Sequence, residues 1–327
     1  MWKIIRKIKV NTYKGKRYFM AKVFIDGQAG TTGLQLKEKL MKHPYVDLIE
    51  IEESKRKDSA ERQKLMNSAD VVFLCLPDAA AIEAVKLVTN PDTVIIDAST
   101  AHRTNEEWTY GFPELSDKQF EKIKSSKRIA NPGCHASGFV SIVYPLVNSG
   151  IMPADYPVTA FSITGYSGGG NKMIGEYENP DREEEIGTPR QYGLSQMHKH
   201  LPEMKKVCGL TSEPIFMPVV SDYYCGMAVS VPVFTKMLNK KLTLKEVYDL
   251  LDEFYKDSKF INVSYAPESG FLSPLGHEGT NKMTIYVNGN DDRIVLTSVF
   301  DNLGKGASSA AVENMNIAMG FEETTAL

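Results

Sequence analysis

At 327 residues and 42% hydrophobic composition, the chain is long enough to bury a large core and to form two domains rather than one. A net charge of −3 leaves no electrostatic footprint for nucleic acid, and no apolar stretch reaches the ~20 residues that span a bilayer. Cys75, Cys134, Cys208 and Cys225 are scattered without paired CxxC spacing, and no signal peptide precedes them. This argues against a disulfide framework or a zinc site and for a reducing, cytoplasmic setting.

The first nineteen residues depart from the average. Lys3, Arg6, Lys7, Lys9, Lys14, Lys16 and Arg17 are all basic and no acid stands among them. Met20 directly precedes a strand pattern, so residues 1–19 read as a basic extension outside the fold. From Met20 onward strand and helix patterns alternate: strands at 22–26, 47–51, 71–76 and 93–97, and helices at 34–41, 61–67 and 79–88. The run Val71-Val72-Phe73-Leu74-Cys75-Leu76 is apolar on both faces, as in a buried parallel strand. Strict alternation predicts an α/β fold with a doubly wound parallel sheet.

The first βα turn reads Gly27-Gln28-Ala29-Gly30-Thr31-Thr32-Gly33, right after a strand and at a helix start. There the glycines let a pyrophosphate approach the backbone while the helix N-terminus supplies positive potential. The spacing departs from G-x-G-x-x-G, so its position carries the assignment. At the end of the second strand, Glu52-Glu53 suits a ribose hydroxyl, whereas Ser54-Lys55-Arg56-Lys57 suits a 2′-phosphate or is a solvated loop. Ser99-Thr100-Ala101-His102-Arg103 follows the strand ending at Asp97, at the carboxyl edge where open sheets bind ligands; Arg103 is either an anion clamp or a surface ion-pair partner.

Cys134 stands in Asn131-Pro132-Gly133-Cys134-His135-Ala136-Ser137-Gly138, where a strand-like segment gives way to a Pro-Gly turn and an apolar helix. A thiol at a helix N-terminus can fall from about 8.5 to about 3.5–7.5 in pKa, and the same N–H groups can hold an oxyanion. The bland alternative is a small buried side chain. Beyond about residue 150 the segments 158–164, 214–220, 227–234, 282–287 and 293–300 alternate as in a mixed sheet, with an amphipathic helix at 243–257 and an alanine-rich helix at 307–319. Ser167-Gly168-Gly169-Gly170 is a tight loop near the site or merely a turn. His198-Lys199-His200-Leu201-Pro202-Glu203 offers two histidines as acid/base partners for a nucleophilic cysteine, and no ligand spacing there favours a metal. A thiolate, a histidine and a nucleotide cradle together suggest acyl transfer to sulfur coupled to hydride transfer.

These residues resemble the N-acetyl-gamma-glutamyl-phosphate reductase family in its shorter form, related to aspartate-semialdehyde dehydrogenase. The likeness runs from about Met20 to the end. It rests on residues 27–33, Asp97-Ala98-Ser99-Thr100-Ala101-His102-Arg103, Tyr110-Gly111-Phe112-Pro113-Glu114, Asn131-Pro132-Gly133-Cys134, Gly165-Tyr166-Ser167-Gly168-Gly169-Gly170, His198-Lys199-His200-Leu201-Pro202-Glu203 and Asp301-Asn302-Leu303-Gly304-Lys305-Gly306-Ala307. The resemblance implies a Rossmann-type domain at 20–134 and 305–327, and an α+β catalytic and dimerisation domain with a mixed sheet at 135–304. It also implies NADPH as cofactor, an acyl-phosphate substrate with phosphate as product, and a homodimer or homotetramer. Under it Cys134 is the nucleophile and His200 the acid/base. Arg103, Ser167, His198 and Glu203 face the substrate, and Gly27, Gly30, Thr31, Thr32, Gly33, Ser54, Arg56, Ser99, Asn302 and Gly304 face the cofactor. Aspartate-semialdehyde dehydrogenase and N-acetyl-aminoadipyl-phosphate reductase share this chemistry. A non-catalytic nucleotide sensor and a cofactor-free cysteine hydrolase are the more distant alternatives.

Overall fold

The computed structural model describes residues 10–13, 16–28 and 30–327, with side chains from residue 20 onward. The basic extension therefore lies partly outside the described residues. What is described of it, β1 (Val10–Tyr13) and β2 (Lys16–Phe19), is an antiparallel pair that joins neither of the other sheets.

The first sheet is parallel and six-stranded, in the order β4-β3-β5-β6-β8-β7. Its strands are β3 (Ala21–Asp26), β4 (Val46–Ile49), β5 (Val71–Leu74), β6 (Val94–Asp97), β7 (Thr109–Tyr110) and β8 (Arg128–Ala130). The helices between them are α1 (Thr31–Met41), α2 (Ser59–Ser68), α3 (Asp78–Leu87) and α4 (Asp117–Ser125). The strand residues sort by the period of two: Val23, Ile25, Phe73 and Ile96 pack with Leu36, Leu40, Ile123, Val312 and Met315, while Phe24, Val72, Leu74 and Ile95 pack with Met66, Ala81 and Ala84. Burial on both faces is why these strands read as continuous apolar runs.

α5 (Cys134–Asn148) leads into the second sheet, which is seven-stranded and mixed, in the order β10-β11-β9-β12-β15-β14-β13. Its strands are β9 (Thr159–Gly165), β10 (Arg190–Gln191), β11 (Ile215–Ser221), β12 (Met227–Phe234), β13 (Ile261–Tyr265), β14 (Met283–Gly289) and β15 (Arg293–Phe300). α6 (Gly170–Glu178), α7 (Leu201–Cys208) and α8 (Leu244–Tyr255) complete this half. A capping box at Thr243 and Glu246 starts α8. One face of the sheet is sealed by Phe139 and Val143 of α5, Met204 of α7 and Leu251 of α8 against Val229, Val231, Leu296 and Phe300. The alternate positions of the same strands leave Phe161, Ile215, Phe234 and Val295 exposed on the other face.

The alanine-rich C-terminal helix expected from residue 307 begins instead as a π-turn at Gly304–Ser308 and continues as α9 (Ser309–Met319). α9 returns to the first sheet, where the buried Asn314 Nδ2 donates to Gly111 O at 2.9 Å and Asn131 Oδ1 at 3.1 Å.

Candidate active site

A cavity of about 470 Å³ lies between the carboxyl edge of the parallel sheet and the second domain. It is lined by the start of α1, by Gly133 and Cys134, by residues 167–170, by residues 198–200 and by Asn302 and Gly306. Cys134 is the first residue of α5, after an N-cap glycine that supplies no side-chain cap. The glycine is demanded by packing: a Cβ on Gly133 would stand 2.4 Å from Arg103 Nη1 and 2.5 Å from His200 Nε2. A Cβ on Gly306 would stand 2.8 Å from the Cβ of Cys134, so the π-turn also depends on glycine where it passes the thiol.

Arg103 is buried beside the cysteine. Its Nε donates to Asn131 O at 2.9 Å, Nη2 to Ala98 O at 3.0 Å and Nη1 to Glu203 Oε2 at 3.1 Å. Three of its five N–H groups are thus spent on orientation, which leaves two for a ligand. The other oxygen of Glu203 accepts from Tyr110 OH at 2.7 Å and from the Gly133 N–H at 2.9 Å. Glu203 is 1% exposed and does not line the cavity, so the expected substrate contact is corrected: its carboxylate ties the turn before Cys134 to Arg103.

Three imidazoles cluster behind the thiol. His198 and His200 have ring centroids 4.8 Å apart, and His135 lies 5.5 Å from the first and 5.6 Å from the second. His135 bridges Ser162 Oγ at 2.8 Å and Tyr192 OH at 2.6 Å. Burial foremost lowers all three rings: His135 is pushed down to about 3, His198 to about 4 with Lys199 reinforcing the effect, and His200 well below its ordinary value with Arg103 reinforcing it. His200 Nδ1 is buried without a partner. The expected acidic thiol is overturned. Burial pushes Cys134 above the ordinary thiol value, and Arg103, the His135 N–H and Lys199 only partly offset it. The free site therefore pairs a protonated thiol with neutral imidazoles in one cavity.

The first βα turn has the shape of a phosphate cradle. Gly27 has φ +90°, and its Cβ would stand 2.2 Å from Cys75 O. A Cβ on Gly33 would stand 2.5 Å from Gly27 O, whereas one on Gly30 would meet nothing closer than 3.6 Å. Gly27 and Gly33 thus hold the turn tight while Gly30 keeps its face open to the cavity. No side chain caps α1, whose first N–H groups suit a phosphate. Ala29 lies outside the described residues. Directly before this turn, Arg62 clamps Asp26 at the end of β3, with Nη2 donating to Oδ2 at 2.5 Å.

Of the residues expected from the sequence, Cys134, His200, Arg103, Ser167, His198, Gly30, Thr31, Thr32, Gly33 and Asn302 share this cavity. Gly27 underlies it. Ser99 is turned inward, its hydroxyl donating to Asp97 Oδ2 at 2.7 Å, and Gly304 packs against Thr280. Ser54 and Arg56 are exposed on a 3₁₀ turn outside the cavity, where Arg56 pairs with Glu53 at 2.6 Å. His135, Tyr192 and Lys199 enter the lining without having been assigned to the site, and Gly306 enters it with the 302–307 turn. Adjacency to Cys134 was the only signal for His135, and Tyr192 had none.

Two family models match this arrangement of domains. One, described as the semialdehyde dehydrogenase NAD binding domain, covers residues 22–123, and the other, the semialdehyde dehydrogenase dimerisation domain, covers 134–302. The chain belongs to the semialdehyde dehydrogenase family. Within the family it is 42% identical over 318 residues to a protein of Nostoc sp. named N-acetyl-gamma-glutamyl-phosphate reductase 2, spanning 94% of this chain and 99% of that one. A Pseudomonas putida protein with the same name is 40% identical over 91% of this chain and 96% of its own length. The fold matches aspartate semialdehyde dehydrogenase from Francisella tularensis, with TM-score 0.69, 16% identity, and coverage of 91% of this chain and 99% of that chain. It also matches the Candida albicans enzyme solved with NADP, with TM-score 0.64, 15% identity, and coverage of 92% and 99%.

Proposed function

We propose that the chain reduces N-acetyl-gamma-glutamyl phosphate to N-acetyl-glutamate 5-semialdehyde with NADPH, the third step of arginine biosynthesis. The observation that carries this reading is one cavity holding the Cys134 thiol, the neutral His200 imidazole, Arg103 and the open start of α1. Names of relatives that share about 40% of the sequence support the substrate.

Cys134 Sγ attacks the acyl carbonyl, forming an S–C bond as the C–O bond to phosphate breaks. His200 takes the thiol proton and passes it to the departing phosphate oxygen. A neutral imidazole with a depressed pKa is a willing donor once charged. The two free N–H groups of Arg103 hold anionic oxygen, and the first-turn N–H groups of α5 face the acyl oxygen. The nicotinamide, when bound, supplies the hydride that releases the thioester as aldehyde. Cys134 leaves as thiolate and is reprotonated from solution.

The start of α1 is the pyrophosphate cradle, and the cations of residues 55–57 are offered to the 2′-phosphate once Arg56 leaves Glu53. The exposed Phe161, Ile215, Phe234 and Val295 face is offered to a second copy as a homodimer, with a homotetramer as the larger assembly. Among the described residues no helix is long and apolar enough to cross a membrane, and all four cysteines are free, which fits the proposed cytoplasmic setting.

The test is NADP⁺ reduction with N-acetyl-glutamate semialdehyde and phosphate, against aspartate semialdehyde as control. Activity that requires phosphate, prefers the acetylated substrate and falls at least about 10³-fold in Cys134→Ser supports the reading. Equal oxidation without phosphate, or a preference for aspartate semialdehyde, refutes it.

A further inference from the structure

His135, the second residue of α5, anchors a hydrogen-bond chain that the proposed reaction does not use. Its two ring nitrogens meet Ser162 Oγ at 2.8 Å and Tyr192 OH at 2.6 Å. The ring is neutral, since burial pushes it down to about 3, so it carries one proton on one nitrogen. A proton on Nδ1 would be donated to Ser162, whose own O–H would then have no acceptor among the described residues, on a side chain 0% exposed. A buried hydroxyl proton without an acceptor is costly. With the proton on Nε2 every buried donor is served: Ser162 donates to Nδ1 and Nε2–H donates to the Tyr192 oxygen. One proton of the chain is left over, on the phenol of Tyr192. Tyr192 lines the catalytic cavity, and burial pushes its phenol up, so it stays protonated and can donate.

The wall beside it is largely apolar. Thr164 of β9 and Val220 of β11 are register partners on adjacent strands, and both line the cavity together with Met173. The Tyr192 N–H donates to Pro218 O at 3.0 Å, two residues before Val220, which fixes the ring along this wall. The charged residues of the lining are Arg103 and Lys199, with no aspartate or glutamate among its described residues. Such a cavity suits an anionic ligand and has nothing to pair with a free substrate ammonium.

We propose that Tyr192 selects an acylated amine on the substrate: its O–H donates to the carbonyl oxygen of the acetamido group while the acetyl methyl packs on Val220. This rests on the reaction proposed above and names the side chains that tell its substrate from a free amino-acid analogue. A pocket built around a hydrogen bond rejects the ligand that cannot complete it, because its polar group is then left unpaired.

Calorimetric titration of the full chain with N-acetyl-L-glutamate, L-glutamate and glutarate tests this, since the three share both carboxylates and differ only at the amine position. The wild type is expected to bind N-acetyl-L-glutamate most tightly. Tyr192→Phe should lose about tenfold on that ligand and keep its affinity for glutarate. Equal weakening of both ligands would mean that Tyr192 only supports His135, and would overturn the proposal. Absence of saturable N-acetyl-L-glutamate binding, binding of L-glutamate as tight as that of the acetylated ligand, or an unchanged preference in the variant would overturn it too. Should Tyr192→Phe fail to fold, Val220→Thr, which puts a hydroxyl where the methyl packs, narrows the preference for the acetylated ligand about threefold; an unchanged preference there counts equally against it. Turnover of N-acetyl-glutamate semialdehyde separates the two readings. Phosphate-dependent turnover with an unchanged preference in Tyr192→Phe removes the role of Tyr192 and leaves the reaction standing. Selective binding that Tyr192→Phe abolishes, without turnover in the wild type, supports the role of Tyr192 and removes the reaction.

Discussion

Two buried ionic clusters join the halves of this molecule, and they are built on opposite principles. Around Arg103 and Glu203 the carboxylate is saturated: one oxygen takes the guanidinium, and the other takes a phenol and a backbone N–H. Around Lys305 two carboxylates compete for one ammonium, and each keeps an idle oxygen. The first cluster fixes geometry next to the thiol. The second is electrostatically open, and burial together with Glu114 pushes Glu313 up to about 8. Saturation marks a positioning element, and its lack here marks a place that titrates.

Breaking the saturated cluster has the largest expected effect. Glu203→Ala leaves Arg103 buried and unpaired, a loss of about 3–5 kcal/mol, and lowers the midpoint of thermal unfolding by about 5–10 °C together with a fall in kcat. Unchanged melting would mean that Arg103 is hydrated rather than clamped.

Gly133→Ala sharpens the same point at the scale of one methyl group. The added Cβ meets Arg103 and His200, so kcat falls about 10²-fold while circular dichroism stays that of the wild type. A smaller loss than about threefold would show that these side chains are free to move aside.

The resting thiol offers a third probe. With Cys134 raised by burial, iodoacetamide labelling of the free protein continues to accelerate up to about pH 9. A plateau below about pH 7.5 would restore the acidic thiolate expected from the helix start.

The smallest effect separates the clusters by pH. Glu313 has its folded pKa raised above the unfolded carboxylate value, so the folded state binds the extra proton between them. Its stability contribution is fully present below about pH 4.5 and is lost as pH rises toward about 8. His135 and His198, lowered to about 3 and about 4, act in the opposite sense, stabilising above about pH 6.5 and losing that as pH falls. Melting temperatures of wild type and Glu313→Gln should therefore diverge progressively between about pH 5 and 8, with the wild type losing more on the alkaline side. Parallel curves would remove Glu313 from the titrating set.

The sequence was most legible where local pattern and tertiary role agree. Apolar runs such as 71–74 announced the parallel sheet, and the Pro-Gly turn before Cys134 announced a helix start at its true residue. α4 escaped notice because Asp117–Ser125 carries only Phe120 and Ile123 as large apolar residues, and β7 because two residues are too short for a period to show, whereas β8 was read as the strand-like segment before the Pro-Gly turn. In the site, Cys134, Arg103 and His200 were readable from residue type and position on an element. Tyr192 was not, because its bond to His135 joins positions 57 apart in the chain. The direction of the thiol shift was misread for a related reason. A helix start is visible in the residues, but the depth at which it is buried belongs to the packing of two domains.

The central claim is that Cys134 carries the acyl group. Intact-protein mass spectrometry after mixing the chain with N-acetyl-gamma-glutamyl phosphate, without nicotinamide, tests it most directly. The account predicts one N-acetylglutamyl adduct, mapped to Cys134, labile to hydroxylamine and missing in Cys134→Ser. An adduct on another residue, or turnover in Cys134→Ser at the rate of the wild type, would contradict it.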